Sequence, residues 1–90
     1  MLNVRFSSAF KKDFKTCVKR GYKMPLLQDV IDTLRIPAAL PEKNKDHQLT
    51  GNFSGCRECH IEPDGLLIYK QSDDELQLFR TGTHSDLFGK

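Results

Sequence analysis

The chain has 90 residues, a formal net charge of +2 and a composition of 38% hydrophobic, 29% charged and 9% aromatic residues, which excludes a disordered tail or a fibrous repeat and fits one folded domain. A domain of this size buries about 65% of its unfolded surface, enough for one modest core and no second one. The longest apolar run, Gly65-Leu66-Leu67-Ile68-Tyr69, is far short of the roughly 20 residues of a membrane span, and Met1-Leu2-Asn3-Val4-Arg5-Phe6 lacks a charged leader with an apolar stretch behind it, so no membrane association, no secretory signal and a cytoplasmic location are expected.

Residues 2 to 6 alternate apolar and polar and read as a short strand. Ser7 or Ser8 can cap the helix that follows, whose apolar stripe is Phe10, Phe14, Cys17 and Val18 and which Gly21 ends. Pro25 suits the first turn of a second helix with the stripe Leu26, Leu27, Val30, Ile31 and Leu34, and Pro37 stops it. Residues 37 to 52 form a long polar connection, a length at which loops in compact domains are functional or disordered. Beyond it the period falls to two. Residues 56 to 62, 66 to 71 and 75 to 81 read as strands joined by Pro63-Asp64-Gly65 and Ser72-Asp73-Asp74, hairpin-length turns that make them antiparallel neighbours. The order β-α-α-β-β-β predicts an α+β domain, with a helix pair on one face of a small, mainly antiparallel sheet and the other face free for chemistry.

Charge is unevenly placed. Residues 1 to 35 carry eight Lys/Arg against three acids, and residues 36 to 90 six against nine. Most of the excess lies in Lys11, Lys12, Lys15, Lys19, Arg20 and Lys23, which form either a solvated helix face or a docking surface for a polyanion such as nucleic acid. Three cysteines are an odd number and suggest no disulfide framework. Cys17 reads as core. Cys56-Arg57-Glu58-Cys59-His60 matches the haem-attachment string, but on a strand residues three apart point to opposite faces and cannot share one ligand.

The candidates for chemistry lie in the second half: His47 in the long loop, His60 at a strand end, Asp64 in a turn, Arg80 in the last strand and His84 after it. Parity places Glu58, His60 and Glu62 on one face, opposite Cys59 and Ile61. Arg80 and His84 are separated by about 13 Å of extended strand, so cooperation requires a bend, which Gly82 permits. Leu76 and Leu78 share the parity of Arg80, so that strand does not separate a core face from an active one. Imidazoles with a guanidinium are suited to breaking an RNA phosphodiester without metal. One base takes the 2′-OH proton, one acid protonates the departing 5′-oxygen, and a cation stabilises the phosphorane. A His/Asp metal site is the competing reading, weakened because no pair has compact zinc-ligand spacing.

Four blocks carry a family resemblance: Lys45-Asp46-His47-Gln48-Leu49-Thr50-Gly51, Arg57-Glu58-Cys59-His60-Ile61-Glu62-Pro63-Asp64, Leu67-Ile68-Tyr69-Lys70 and Arg80-Thr81-Gly82-Thr83-His84-Ser85-Asp86-Leu87-Phe88. In order and spacing they resemble the YafQ branch of the RelE-like toxins, while the first half matches in pattern alone. The resemblance implies a single toxin domain over residues 1 to 90, belonging to a bacterial type II system. It implies an mRNA endoribonuclease working in the ribosomal A site without metal or other cofactor. The expected partner is a DinJ-like antitoxin with a ribbon-helix-helix end, through which alone operator DNA would be reached.

By position, the resemblance makes His84 the general acid, His60 or Asp64 the base helped by His47, Arg80 the transition-state cation and Phe88 the stacking aromatic. Lys11, Lys12, Lys15 and Lys19 become candidate contacts to ribosomal RNA. The best-known member has a tryptophan directly after the aspartate where this chain has Gly65, so any stacking by that indole is missing here. Two other classes are a catalytically silent binding partner, against which the joint presence of His47, His60, Asp64, Arg80 and His84 speaks, and an RNase that needs no ribosome.

Overall fold

In the computed structural model, which describes residues 1–89, the period-two segments assemble into one five-stranded sheet. Its spatial order is β1 (Asn3–Phe6), β5 (Glu75–Gly82), β4 (Gly65–Gln71), β3 (Arg57–Glu62) and β2 (His47–Gln48). β1 runs parallel to β5 and the other neighbours are antiparallel. A parallel pair cannot be joined by a tight turn, and the chain between β1 and β5 contains α1 (Ser8–Lys19), α2 (Met24–Arg35) and the other three strands. The Ser7 hydroxyl caps α1 by accepting from Phe10 N–H at 2.9 Å, and Pro25 lies in the first turn of α2.

The expected α+β architecture is present with two additions. β2 has two residues and lies inside the long connection, and a five-residue helix, α3 (His84–Phe88), follows the last strand. Neither is long enough to display a period. The connection is held by side chains: buried Asn44 donates to the His60 carbonyl at 2.7 Å, and Asp46 accepts from the Tyr69 hydroxyl at 2.7 Å and from Arg57 Nε at 3.1 Å. A capping box starts α3, with Thr83 and Asp86 satisfying each other's backbone N–H groups.

The main core lies between the helices and one sheet face and contains Phe10, Leu27, Val30, Ile31, Leu34, Cys59, Leu67, Tyr69, Leu76 and Leu78. The opposite face is only partly open. There Leu66, Ile68 and Leu87 form a second cluster with Leu49, Phe53, Cys56 and Phe79. α1 departs from its expected stripe, for Phe14 is 37% and Val18 51% exposed. The helix meets the sheet along a narrower line of Phe10, Asp13 and Cys17, at i, i+3 and i+7. Among the described residues no helix is long and apolar enough to cross a membrane.

Cys56 packs in the second cluster and Cys59 in the main core, so the pair straddles the sheet. All three thiols are free. Burial pushes Cys59 up to about 12 and raises Cys17 as well, which leaves both unreactive near neutral pH. Iodoacetamide at pH 8 is therefore expected to alkylate at most Cys56 in the native protein and all three thiols in denaturant. Mass spectrometry reads the count, and native labelling of Cys59 would contradict the packing of β3.

Candidate active site

β3 does the first sorting. Its Cys59 and Ile61 pack on the helix side, while Glu58 and His60 stand opposite Ile68 and Leu66 of the second cluster and so face the other way. β2 then places His47 directly across from Glu58. His47 Nδ1 lies 2.7 Å from the Lys45 carbonyl, and its Nε2 is 3.4 Å from Glu58 Oε1. The same carboxylate oxygen is 4.0 Å from His60 Nε2. The Glu58 side chain is only 6% exposed, so a buried carboxylate sits between two imidazoles. Glu62 leaves the face expected of it. A register shift between His60 and Glu62 turns it toward the helices, where it lines a small cleft with Cys17, Tyr22 and Leu27.

The C-terminal end of β5 brings the third imidazole. Gly82 takes φ +150°, a conformation rare for residues with a side chain, and the chain turns into α3 with His84 as its first residue. The His84 ring centroid is 6.0 Å from that of His60, at 65°. Its Nδ1 lies 3.5 Å from Asp64 Oδ1 in the β3–β4 turn. Phe88, one helical turn on, is 6.2 Å from His84 and meets Phe53 edge-on at 6.0 Å.

The parity conflict around Arg80 is resolved by a bulge. Tyr69 pairs with Leu78 but Ile68 pairs with Arg80, so Phe79 is the extra residue. Leu76 and Leu78 therefore point to the main core, whereas Phe79 packs in the second cluster and Arg80 stands across from Ile68. Glu58, Ile68 and Arg80 thus form one row across three strands. Among the described residues, no hydrogen bond or ion pair joins Arg80 to a histidine. Arg80 Nε donates to Asp13 Oδ2 at 2.6 Å and its Nη2 to Oδ1 at 3.0 Å, bonds that raise its already high pKa further.

The structure thus links His47, Glu58, His60, His84, Asp64 and Phe88 through consecutive contacts, with Arg80 flanking them. Lys11, Lys12, Lys15 and Lys19 are exposed on α1. Among the described residues, no group of three or more His, Cys, Asp or Glu side chains is arranged to hold a metal ion. Two polar residues of this region are not marked by sequence alone: Glu58, for which parity with His60 is the available signal, and Asp13, an acid spaced with Phe10 and Cys17 in a lysine-rich helix.

α3 is tied down by a second ion pair, Arg20 Nη1 donating to Asp86 Oδ2 at 2.7 Å. Arg20, and then the Thr83 N–H, hold the Asp86 carboxyl below its ordinary value. A carboxyl depressed by folding stabilises the native state at pH above its unfolded value of about 3.9 and loses that contribution as pH falls through the folded value. Asp86→Asn is therefore expected to lower the melting temperature at pH 7, and the difference from wild type to shrink steadily below about pH 4. Thermal melts by circular dichroism across that range check it.

Comparisons with known proteins bear on what this arrangement does. A family model described as a bacterial toxin of type II toxin-antitoxin system, YafQ, matches residues 2–89. The mRNA interferase toxin YafQ of Escherichia coli strain K12 is 41% identical over 88 residues, covering 97% of this chain and 96% of that protein. The crystal structure of YafQ from Escherichia coli strain BL21(DE3) superposes with a TM-score of 0.93 at 39% identity, over 99% of this chain and 100% of that one. The toxin in the Escherichia coli DinJ–YafQ complex superposes with a TM-score of 0.90 at 40% identity, over 98% of each chain.

Proposed function

The chain belongs to the YafQ family of type II toxins, and on that premise we propose that residues 1 to 90 form one domain that cuts mRNA in the ribosomal A site, without metal, by 2′-OH attack on the adjacent phosphodiester. The observation that carries this reading is the meeting of three imidazoles from a loop strand, a sheet strand and a terminal helix around two carboxylates on one sheet face. In-line attack needs a base for the 2′-OH and an acid for the 5′-oxygen on either side of one phosphate. His60 and His84 are near enough to flank such a group.

His84 is the general acid. Asp64 faces its Nδ1, which leaves Nε2 for the leaving oxygen. His60 is the base, with Glu58 placed to stabilise the imidazolium that forms and His47 on the far side of that carboxylate. This reassigns Asp64, one of two candidates for the base, to orienting the acid. Arg80 supplies the cation for charge on the phosphorane, and Phe88, partly exposed beside His84, stacks on a base, a contact worth about 1–3 kcal/mol in other systems.

The exposed lysines of α1 provide the electrostatic footprint for ribosomal RNA. Because the Escherichia coli relative is known in complex with DinJ, the silencing partner is a DinJ-like antitoxin, which would also make the only contact with operator DNA. Gly65 has ordinary contacts around the position a Cβ would occupy, with Glu62 atoms at 3.6 Å, so a larger residue is not sterically barred there. Cut-site preference is the property that its small size affects.

The deciding experiment compares cleavage of one message on translating ribosomes and as naked RNA, with chelator present. Cleavage on ribosomes alone supports the reading. Equal cleavage of naked RNA makes the protein a free-standing RNase, and no cleavage of either makes it a silent partner.

A further inference from the structure

We infer that Asp13 is a positioning residue for RNA cleavage, holding the Arg80 guanidinium so that its free edge is presented to the scissile phosphate. The inference rests on the reading above that Arg80 supplies the transition-state cation.

Asp13 is the only acid in α1, and it lies on the inward line of that helix, its side chain 13% exposed while Lys11, Lys12 and Lys15 around it are in solvent. A carboxylate turned inward loses hydration and needs full pairing to persist. Both of its oxygens are engaged. Oδ2 accepts from Arg80 Nε at 2.6 Å and from the Thr81 backbone N–H at 3.1 Å, and Oδ1 accepts from Arg80 Nη2 at 3.0 Å. All three bonds come from two consecutive residues just past the bulge in β5.

The surroundings explain why a clamp is needed. β1 pairs with β5 only as far as Leu78, so at Arg80 β5 has β4 on one side and an open edge on the other. α1 takes over that edge: Ser7 N–H donates to the Leu78 carbonyl at 3.0 Å, the Ser7 hydroxyl to the Phe79 carbonyl at 2.7 Å, and Asp13 receives Thr81 N–H. An unbraced arginine there would sample many rotamers, and a transition state that needs one of them would lose rate.

The bonding pattern also determines what is offered. Asp13 occupies the side of the fork that carries Nε and the inner hydrogen of Nη2. The remaining end, with one hydrogen of Nη1 and the outer one of Nη2, is itself a two-point match for phosphate. The arrangement exchanges raw attraction for geometry, since the pair has no net charge. A positioning role thus predicts a split: without the carboxylate, substrate is held as well or better while the bound complex reacts more slowly.

The test is single-turnover cleavage of ribosome-bound message by wild type, Asp13→Asn, Arg80→Ala and the double variant, with thermal unfolding alongside. Asp13→Asn is expected to lower the saturated rate by about ten- to a hundredfold, with the half-saturating concentration unchanged or lower. In the Arg80→Ala background the same substitution should change nothing further. Asp13→Glu, which retains the carboxylate, should recover part of the rate, and its rate decides the matter if Asp13→Asn does not fold. A loss equally large in both backgrounds would show that Asp13 acts through the fold and overturn the inference. A slow Arg80→Ala beside a fully active Asp13→Asn would overturn it alone. A fully active Arg80→Ala would remove the cation assignment and this inference together.

Discussion

His84→Ala is expected to slow message cleavage on translating ribosomes by at least about a hundredfold, because a positioned general acid contributes roughly 10²–10⁴ in rate. The 5′-oxygen that departs from the phosphorane is a poor leaving group until it is protonated. No other imidazole stands on that side of His60: His47 lies across Glu58, at the β2 edge of the sheet. The ring itself is 51% exposed at the start of α3, so its removal leaves the capping box and buried Leu87 in place. Melting temperature should therefore hardly move while the cleavage products, mapped by primer extension, disappear. An active His84→Ala protein would remove the acid from the mechanism, and an inactive but unfolded one is distinguished by the melt.

The second large effect is expected at Gly82, which has no side chain to take part in the chemistry. Its φ of +150° belongs to glycine, and a Cβ there would stand 3.0 Å from Asp86 Oδ2 and 3.1 Å from Asp86 Cβ. Asp86 has little freedom to yield, since the Arg20 guanidinium and the Thr83 N–H both hold its carboxylate. Gly82→Ala should thus lose about 1–3 kcal/mol from backbone strain alone, and α3 must shift to relieve the contact. His84 moves with it. Denaturant titration reads the stability. Because a displacement of about 1 Å can slow a reaction about a hundredfold, cleavage should fall further than the stability loss explains. Wild-type cleavage by Gly82→Ala would show that the turn does not aim the acid.

Much of the fold was legible because its signals are local. The Ser7 cap, Pro25, the turns 63 to 65 and 72 to 74 and the α2 stripe from Leu27 to Leu34 each depend on a few neighbouring residues, and each appears in the structure near its expected place, whereas Leu26 of that stripe is 37% exposed. Parity within one strand also worked where pairing was regular, putting Glu58 and His60 together against Cys59 and Ile61. It failed at Glu62 and stalled at Arg80 because a bulge reverses parity, and no periodicity announces where an extra residue will be inserted. The stripe of α1 was misjudged for a related reason. Period 3.6 marks which residues share a helix side, whereas how much of that side is covered depends on what it meets, and a sheet edge covers less than Phe14 and Val18 required.

By itself, the sequence determined β1, the helix pair, the run of three strands β3 to β5, the basic face of α1 and the bend at Gly82, but not β2 or α3, and it supplied the imidazole, carboxylate and guanidinium side chains of the proposed site. Tertiary structure alone decided who stands beside whom: Glu58 between His47 and His60, Asp64 against His84, and Asp13 on Arg80 across 67 positions of chain. Propensity, capping and turn chemistry act over a few residues and are written in neighbours. Strand register, bulges and a helix seated on an open edge are settled by contacts between distant segments, so these side-chain partnerships exist only once the sheet has closed.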